Sequence, residues 1–114
     1  MSFEPLGYVR HIMDEVEYLG QASAGVDDST FFSDATLQRA FIRSLEVIGE
    51  ATKRLPPEFR AAHPEADWRG MAGMRDRLMH AYFGVDLELV WDVVRSRILE
   101  LGQALEPLLV GQDG

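Results

Sequence analysis

The segment "GMRDRLMHAYFG", residues 73–84, carries side chains that could act together in a reaction. Its ionisable and polar groups are Arg75, Asp76, Arg77, His80 and Tyr82. An imidazole, with an ordinary pKa of about 6.5, can give or take a proton near neutral pH, and a guanidinium binds phosphate through paired donors. These residue types therefore suit acid–base chemistry at a phosphate ester. On residue types alone, a solvated helix face is the more common explanation, and that alternative stays open.

Composition favours a cytoplasmic protein without a metal or a cofactor. The chain has no cysteine, which excludes disulfides and thiolate metal sites and fits a reducing compartment. The spacing of His11 from the acidic residues that follow it is too loose for a metal site. No basic leader is evident at the N-terminus, and no apolar run approaches the ~18 residues of a membrane helix. We expect one domain over residues 1–114, with a disordered tail at about 110–114.

Charge is distributed unevenly along the chain. The net charge of −8 argues against tight, indiscriminate binding of long nucleic acid. Residues 1–38 carry −6 and residues 78–114 carry −4, whereas residues 39–77 carry +2. Ten of the eleven cations are arginines, which bind phosphate well, although a GC-rich genome would also favour arginine. A local anion site in the middle segment is compatible with this distribution.

Hydrophobic residues recur at three- and four-residue spacing, which predicts an all-α protein. The predicted helices span about 5–22, 35–54, 68–82 and 86–109. Ser33 or Asp34 would cap the second helix, and Asp67 and Asp86 would cap the third and the fourth. The Pro-rich connection "RLPPEFRAAHPEAD" is expected to add one short helical turn around 57–61. Alternating strand patterns are absent, so an antiparallel four-helix bundle is the simplest architecture.

A helical wheel of the third helix places its polar residues outward. At about 100° per residue, His80 lies opposite the core stripe, on a face shared with Arg69, Gly73 and Asp76. Asp76 precedes His80 by one turn, a spacing at which a carboxylate can orient an imidazole. Arg75 and His80 diverge by about 140°, so we expect a two-fold axis past this face to bring a second copy's groups alongside.

Three residues outside the motif are interpreted as packing residues. Trp68 and Trp91 are expected in the core. Gly49 stands inside the second helix, where glycine costs about 1 kcal/mol relative to alanine. A close helix–helix crossing would explain it.

The motif resembles that of a known family. "RDRLMHAY" has the form R-x4-H-x-Y, with Arg75, His80 and Tyr82 in the fixed places and Asp76 directly after the arginine. This is similar to the signature of HepT-like proteins, a branch of the HEPN superfamily of helical ribonucleases. The likeness covers about residues 8–106, through "YVRHIMDEVEYL", "FIRSLEVIGEATKRLPPEFR", "PEADWRGMAGMRD" and "HAYFGVDLELVWDVV". Many relatives have Asn where this chain has Asp76.

The resemblance implies a metal-independent endoribonuclease that works as a homodimer with its site at the subunit interface. Arg75 and His80 would be catalytic, and Asp76 would orient the imidazole or hold the guanidinium. The family also implies a toxin whose partner, a minimal nucleotidyltransferase antitoxin, silences it by attaching AMP to Tyr82. Further candidates for RNA contact or for the subunit interface are Arg69, Gly73 and Arg77.

Two other functions stay open at this level. The chain could be a non-catalytic, nucleotide- or substrate-binding partner of a separate nucleotidyltransferase subunit, which the charge of −8 and the single lysine favour. It could also be a dimeric adaptor whose polar helix face is only an interface.

Overall fold

The structure, a computed structural model, describes residues 4–80 and 84–110, with Met79 and His80 described in their backbone only. The helices are α1 (Pro5–Ser23), α2 (Asp28–Ser33), α3 (Ala35–Lys53), α4 (Pro57–Ala62), α5 (Trp68–Ala72), α6 (Met74–Leu78), α7 (Leu87–Asp92) and α8 (Ile98–Val110). A π-helical segment, Val93–Arg97, joins α7 to α8. Two strands of two residues each, β1 (Met79–His80) and β2 (Gly84–Val85), form a short antiparallel pair. The predicted all-α bundle is confirmed.

The long helix α1 packs between α3 and α8. Its buried residues follow the predicted three- and four-residue spacing: Val9, Ile12, Val16 and Leu19. A polar contact crosses the α1–α3 interface, where the buried hydroxyl of Ser44 donates a hydrogen bond of 2.8 Å to the Glu15 carboxylate. Pairing satisfies the hydroxyl and so avoids the cost of burying an unbonded polar group.

The segment between the first two long helices contains α2, a helix outside the four that the sequence predicts. Asp27 caps this helix by accepting a 2.8 Å hydrogen bond from the Thr30 N–H, and that bond holds the pKa of Asp27 below its usual range. Phe31 is fully buried and stacks on Trp91, with ring centroids 4.6 Å apart. A six-residue helix is too short to show a periodic pattern, so only its burial against α7 reveals it.

Helix α3 begins at the residue after Asp34, whose carboxylate accepts a 3.0 Å hydrogen bond from the Leu37 N–H. Asp34, rather than Ser33, is therefore the N-cap. The Pro-rich connection that follows α3 contains α4, close to the predicted short turn.

Helices α5 and α6 both lie against α3. The contact is close at Gly49, where a Cβ would lie 3.0 Å from the backbone oxygen of Met71 and 3.8 Å from the Met74 Cβ. The expected close crossing at Gly49 is thus confirmed. It brings the backbone at the α5–α6 junction directly onto α3.

The last predicted helix, 86–109, is present but not uniform. Asp86 caps it as expected, accepting a 3.1 Å hydrogen bond from the Leu89 N–H. The π-helical segment interrupts it, and Pro107 lies inside α8. Of the tail predicted at 110–114, Val110 belongs to α8 and the rest lies outside the described residues.

Within the described parts of the chain, no helix is both long and apolar enough to cross a bilayer.

Replacing Gly49 by alanine should destabilise the protein, compared with the same change at Gly20. Both positions lie in helices, where alanine gains up to about 1 kcal/mol over glycine. A Cβ at Gly20 would meet nothing within 4 Å, whereas one at Gly49 presses on the Met71 backbone, and overpacking costs about 1–3 kcal/mol. In urea unfolding, the free energy of unfolding of Gly49→Ala should be lower than that of Gly20→Ala by at least about 1 kcal/mol. An equal gain in unfolding free energy in the two variants would contradict the close contact at Gly49.

Candidate functional site

Arg75 lies on α6 with 66% of its side chain exposed. Its Nε is 3.9 Å from the Glu46 carboxylate on α3, which is 28% exposed. Such a long, solvent-accessible ion pair contributes little, about 0–1 kcal/mol. Arg75 is therefore oriented by Glu46 yet can exchange this partner for another anion.

Two buried side chains, Met74 and Leu78, anchor α6 in the core, and its polar residues face outward. Arg75, Asp76 and Arg77 are all exposed. The predicted outward placement of Asp76 is thus confirmed. A five-residue helix carrying two guanidiniums and one carboxylate presents net positive charge to solvent.

The prediction of one helix over 68–82 is wrong in its last part. Helix α6 ends at Leu78, and His80 belongs to the extended pair, opposite Gly84. The helical wheel therefore does not apply to His80, and neither do the 140° divergence from Arg75 and the one-turn relation to Asp76. The side chain of His80 lies outside the described residues, as does the whole of Tyr82.

A backbone hydrogen bond explains why the helix stops. The Asp86 N–H donates to the Leu78 carbonyl over 2.8 Å, and an α-helix continuing past Leu78 would need that carbonyl for its own residue 82. Gly84 supplies the left-handed backbone that the return requires, with φ of +79°. The chain therefore returns antiparallel after β1 and leads through β2 into α7.

Gly73 is the C-cap of α5 and separates it from α6. Its N–H donates to the Arg69 carbonyl and its own carbonyl accepts from the Arg77 N–H, each over 3.1 Å. A Cβ here would meet only the Arg69 oxygen, at an ordinary 3.4 Å. The close backbone contact within the described chain is at Gly49, not at Gly73.

Glu46 is a site residue that the sequence analysis missed. It precedes Gly49 by three residues and so lies on the same face of α3, the face that meets α5 and α6. Combining the expected crossing at Gly49 with this spacing would have indicated Glu46. The sequence could not say which residue lay across from it.

Comparison with known proteins identifies the family to which this arrangement belongs. The family model described as Ribonuclease HepT-like matches residues 12–108, which include the whole R-x4-H-x-Y motif. The chain belongs to the HepT-like ribonuclease family.

Named relatives of this HepT-like chain come from bacteria and archaea. A protein of Caldanaerobacter subterraneus subsp. tengcongensis, "Putative RNase TTE0752", is 44% identical over 105 residues, covering 92% of this chain and 94% of its own. "Probable ribonuclease HepT" of Thermococcus cleftensis is 42% identical over 101 residues, covering 89% and 92%. No solved structure shows significant similarity to the chain.

Removing the Asp86 cap should loosen the turn that carries His80. Replacing an N-cap aspartate by alanine typically costs about 1 kcal/mol, so Asp86→Ala and the control Asp34→Ala should lose similar unfolding free energy. Only Asp86→Ala should speed hydrogen exchange in the peptide spanning 79–86, because only this cap adjoins the Leu78 hydrogen bond. Unchanged exchange there would show that the cap does not support the turn.

Proposed function

We propose that this HepT-like chain is a metal-independent endoribonuclease and the toxin half of a cytoplasmic toxin–antitoxin pair. The observation that carries the proposal is the complete R-x4-H-x-Y motif inside the family match. Arg75 and His80 are the catalytic residues in this proposal, and Asp76 supports one of them. RNA is the substrate.

Cleavage of RNA without a metal requires a base, an acid and stabilisation of charge at the phosphate. The ribose 2′-oxygen attacks phosphorus and gives its proton to a base, while the 5′-oxygen leaves and takes a proton from an acid. The products are a 2′,3′-cyclic phosphate and a free 5′-hydroxyl. His80 can serve as base or acid, because an imidazole is the side chain that ordinarily titrates near neutral pH.

Arg75 is suited to the charge that develops on the phosphate. A guanidinium forms charge-assisted hydrogen bonds to phosphate oxygens, and these are stronger than neutral ones. Its exposed side chain and long contact with Glu46 support this role, since an incoming phosphate can replace the carboxylate without a large loss of stability. Glu46 keeps the guanidinium close to α3 until RNA binds.

The proposal includes a homodimer with the site at the subunit interface. A two-fold axis beside α6 would duplicate every group across it, so that two copies of His80 could divide the roles of acid and base. The proposed contacts to RNA or to the second subunit lie on the surface of α5 and α6 and at their junction. They are Arg69, Gly73 and Arg77.

Regulation is proposed to act through Tyr82, with a minimal nucleotidyltransferase as the partner. Transfer of AMP from ATP to the phenolic oxygen, with pyrophosphate leaving, adds negative charge and bulk within the motif. The new phosphate would compete with RNA for Arg75.

His80→Ala and Arg75→Ala should each abolish most cleavage of a labelled RNA while leaving helical content intact. Losing a general acid–base is expected to cost about 10²–10⁴-fold in rate, and losing the phosphate-binding guanidinium about 10²–10³-fold. His63→Ala is the matched control, because that imidazole packs on Phe59, outside the motif. A folded, active His80→Ala protein would remove the histidine from the mechanism.

Cleavage by the wild-type protein should be unchanged by excess EDTA and should leave 2′,3′-cyclic phosphate ends. Loss of cleavage on chelation, with recovery on adding a divalent metal, would refute metal independence.

Co-expression with the nucleotidyltransferase partner should add the mass of AMP to the protein. Tyr82→Phe should prevent that gain, whereas Tyr18→Phe, at an exposed tyrosine outside the motif, should not. A gain that persists in Tyr82→Phe would contradict the proposed modification site.

The alternative function is a non-catalytic, nucleotide- or substrate-binding partner of a separate nucleotidyltransferase subunit. The net charge of −8 favours it. The same cleavage assay separates the two, because a binding partner cuts no RNA with or without His80.

A further inference from the structure

A shallow pocket of about 480 Å³ lies between α4 and α5, apart from the motif residues. Two arginines from different elements line it, Arg60 on α4 and Arg69 on α5. Asp67 and Trp68 line it as well. We propose that this pocket binds a backbone phosphate of the RNA, next to the phosphate that is cleaved. The proposal rests on the proposed ribonuclease function and adds a substrate subsite to it.

One nitrogen of the Arg60 guanidinium lacks a hydrogen-bond partner in the described part of the protein. This nitrogen, Nε, is buried and makes no hydrogen bond there. A buried N–H without an acceptor costs about 1–3 kcal/mol, more when the group is charged. A phosphate bound at the terminal nitrogens of this guanidinium would balance its charge, and phosphate offers several acceptor oxygens to one arginine.

Arg69, on α5, provides the second positive charge that lines the pocket. It is exposed, and no carboxylate pairs with it among the described residues. Two arginines that line one pocket from separate helices can both bind the same phosphate, which a single surface arginine cannot do.

The carboxylate of Asp67 is already engaged. Its Oδ1 accepts a 3.0 Å hydrogen bond from the Gly70 N–H as the cap of α5, and the carboxylate lies over Gly70. The ionisable side chains that line the pocket therefore sum to +1, in a chain whose net charge is −8. Positive charge concentrated in a concave site attracts anions more effectively than the overall charge suggests.

The position of the pocket relative to Arg75 suits a continuous RNA strand. Trp68 is buried and donates a 2.7 Å hydrogen bond to the His63 carbonyl, which fixes the start of α5 against the connection from α4. From Arg69 the chain passes through Gly73, the C-cap of α5, into α6. Arg69 and Arg75 lie six residues apart on these two adjoining helices, and both side chains are exposed, so the proposal places one RNA strand across both.

The test measures binding and cleavage by the full chain in wild type, Arg60→Gln and Arg69→Gln. Binding uses a fluorescent 2′-O-methyl RNA oligonucleotide, which cannot be cleaved, titrated over a range of salt concentrations. Each substitution should weaken binding about tenfold and reduce the slope of log K against log salt by about 0.7, the value for one phosphate contact on a single strand. Cleavage should show a raised KM with unchanged kcat, because the pocket does not touch the reacting phosphate.

Arg39→Gln is the control for general charge, since it removes one exposed arginine near the start of α3. Arg60→Lys keeps the charge and should retain the wild-type salt slope. Arg69→Gln changes an exposed side chain, so it supplies a result even if Arg60→Gln unfolds.

The pocket and the proposed function fail in different ways. Cleavage by wild type, with salt slope and KM unchanged in Arg69→Gln, would overturn the pocket and leave the function standing. No cleavage by wild type, with weaker oligonucleotide binding in Arg69→Gln, would overturn the function and support the pocket. An equal effect of Arg39→Gln, or no binding by wild type, would overturn the pocket.

Discussion

The motif is shaped by one backbone hydrogen bond, from the Asp86 N–H to the Leu78 carbonyl. It takes the acceptor that the helix would need to continue and thereby turns the chain back on itself. The motif arginine consequently stays on a helix anchored in the core, while the backbone of the motif histidine is extended. The same aspartate caps α7, so the turn and the start of the last helix depend on one residue.

Helix α3 packs against α5 and α6, the helices that precede the turn. Gly49 allows the backbone of α5 to lie directly on α3, and it also brings Met74, the first residue of α6, close to α3. Glu46, one turn earlier on the same helix, reaches Arg75 from this position. Close packing and side-chain orientation therefore come from a single face of α3.

An acidic protein that binds RNA must concentrate its few cations. Here the segment of net positive charge, residues 39–77, comprises most of α3, the Pro-rich connection, α5 and most of α6. In the proposed function, the phosphate contacts are confined to this segment and are few. Few contacts mean a shallow salt dependence, which distinguishes such a protein from one that coats nucleic acid with a broad basic surface.

The sequence by itself determined the helical class, the long helices, the caps at Asp67 and Asp86, and the tight crossing at Gly49, whereas it left Ser33 and Asp34 as alternative caps of α3. These follow from hydrophobic periodicity, local hydrogen bonding and the absence of a side chain, all of which act over a few residues. It also carried the family resemblance, because the spacing of a motif is a property of the chain alone.

Only the tertiary structure decided where the motif helix ends, that Glu46 faces Arg75, and that Arg60 and Arg69 share a pocket. The helix ends where the Asp86 N–H takes the Leu78 carbonyl as its acceptor, eight residues back along the chain. Hydrophobic periodicity gives no information about such a hydrogen bond. The other two depend on how separate helices meet, since charges distant in sequence become neighbours only when apolar faces pack.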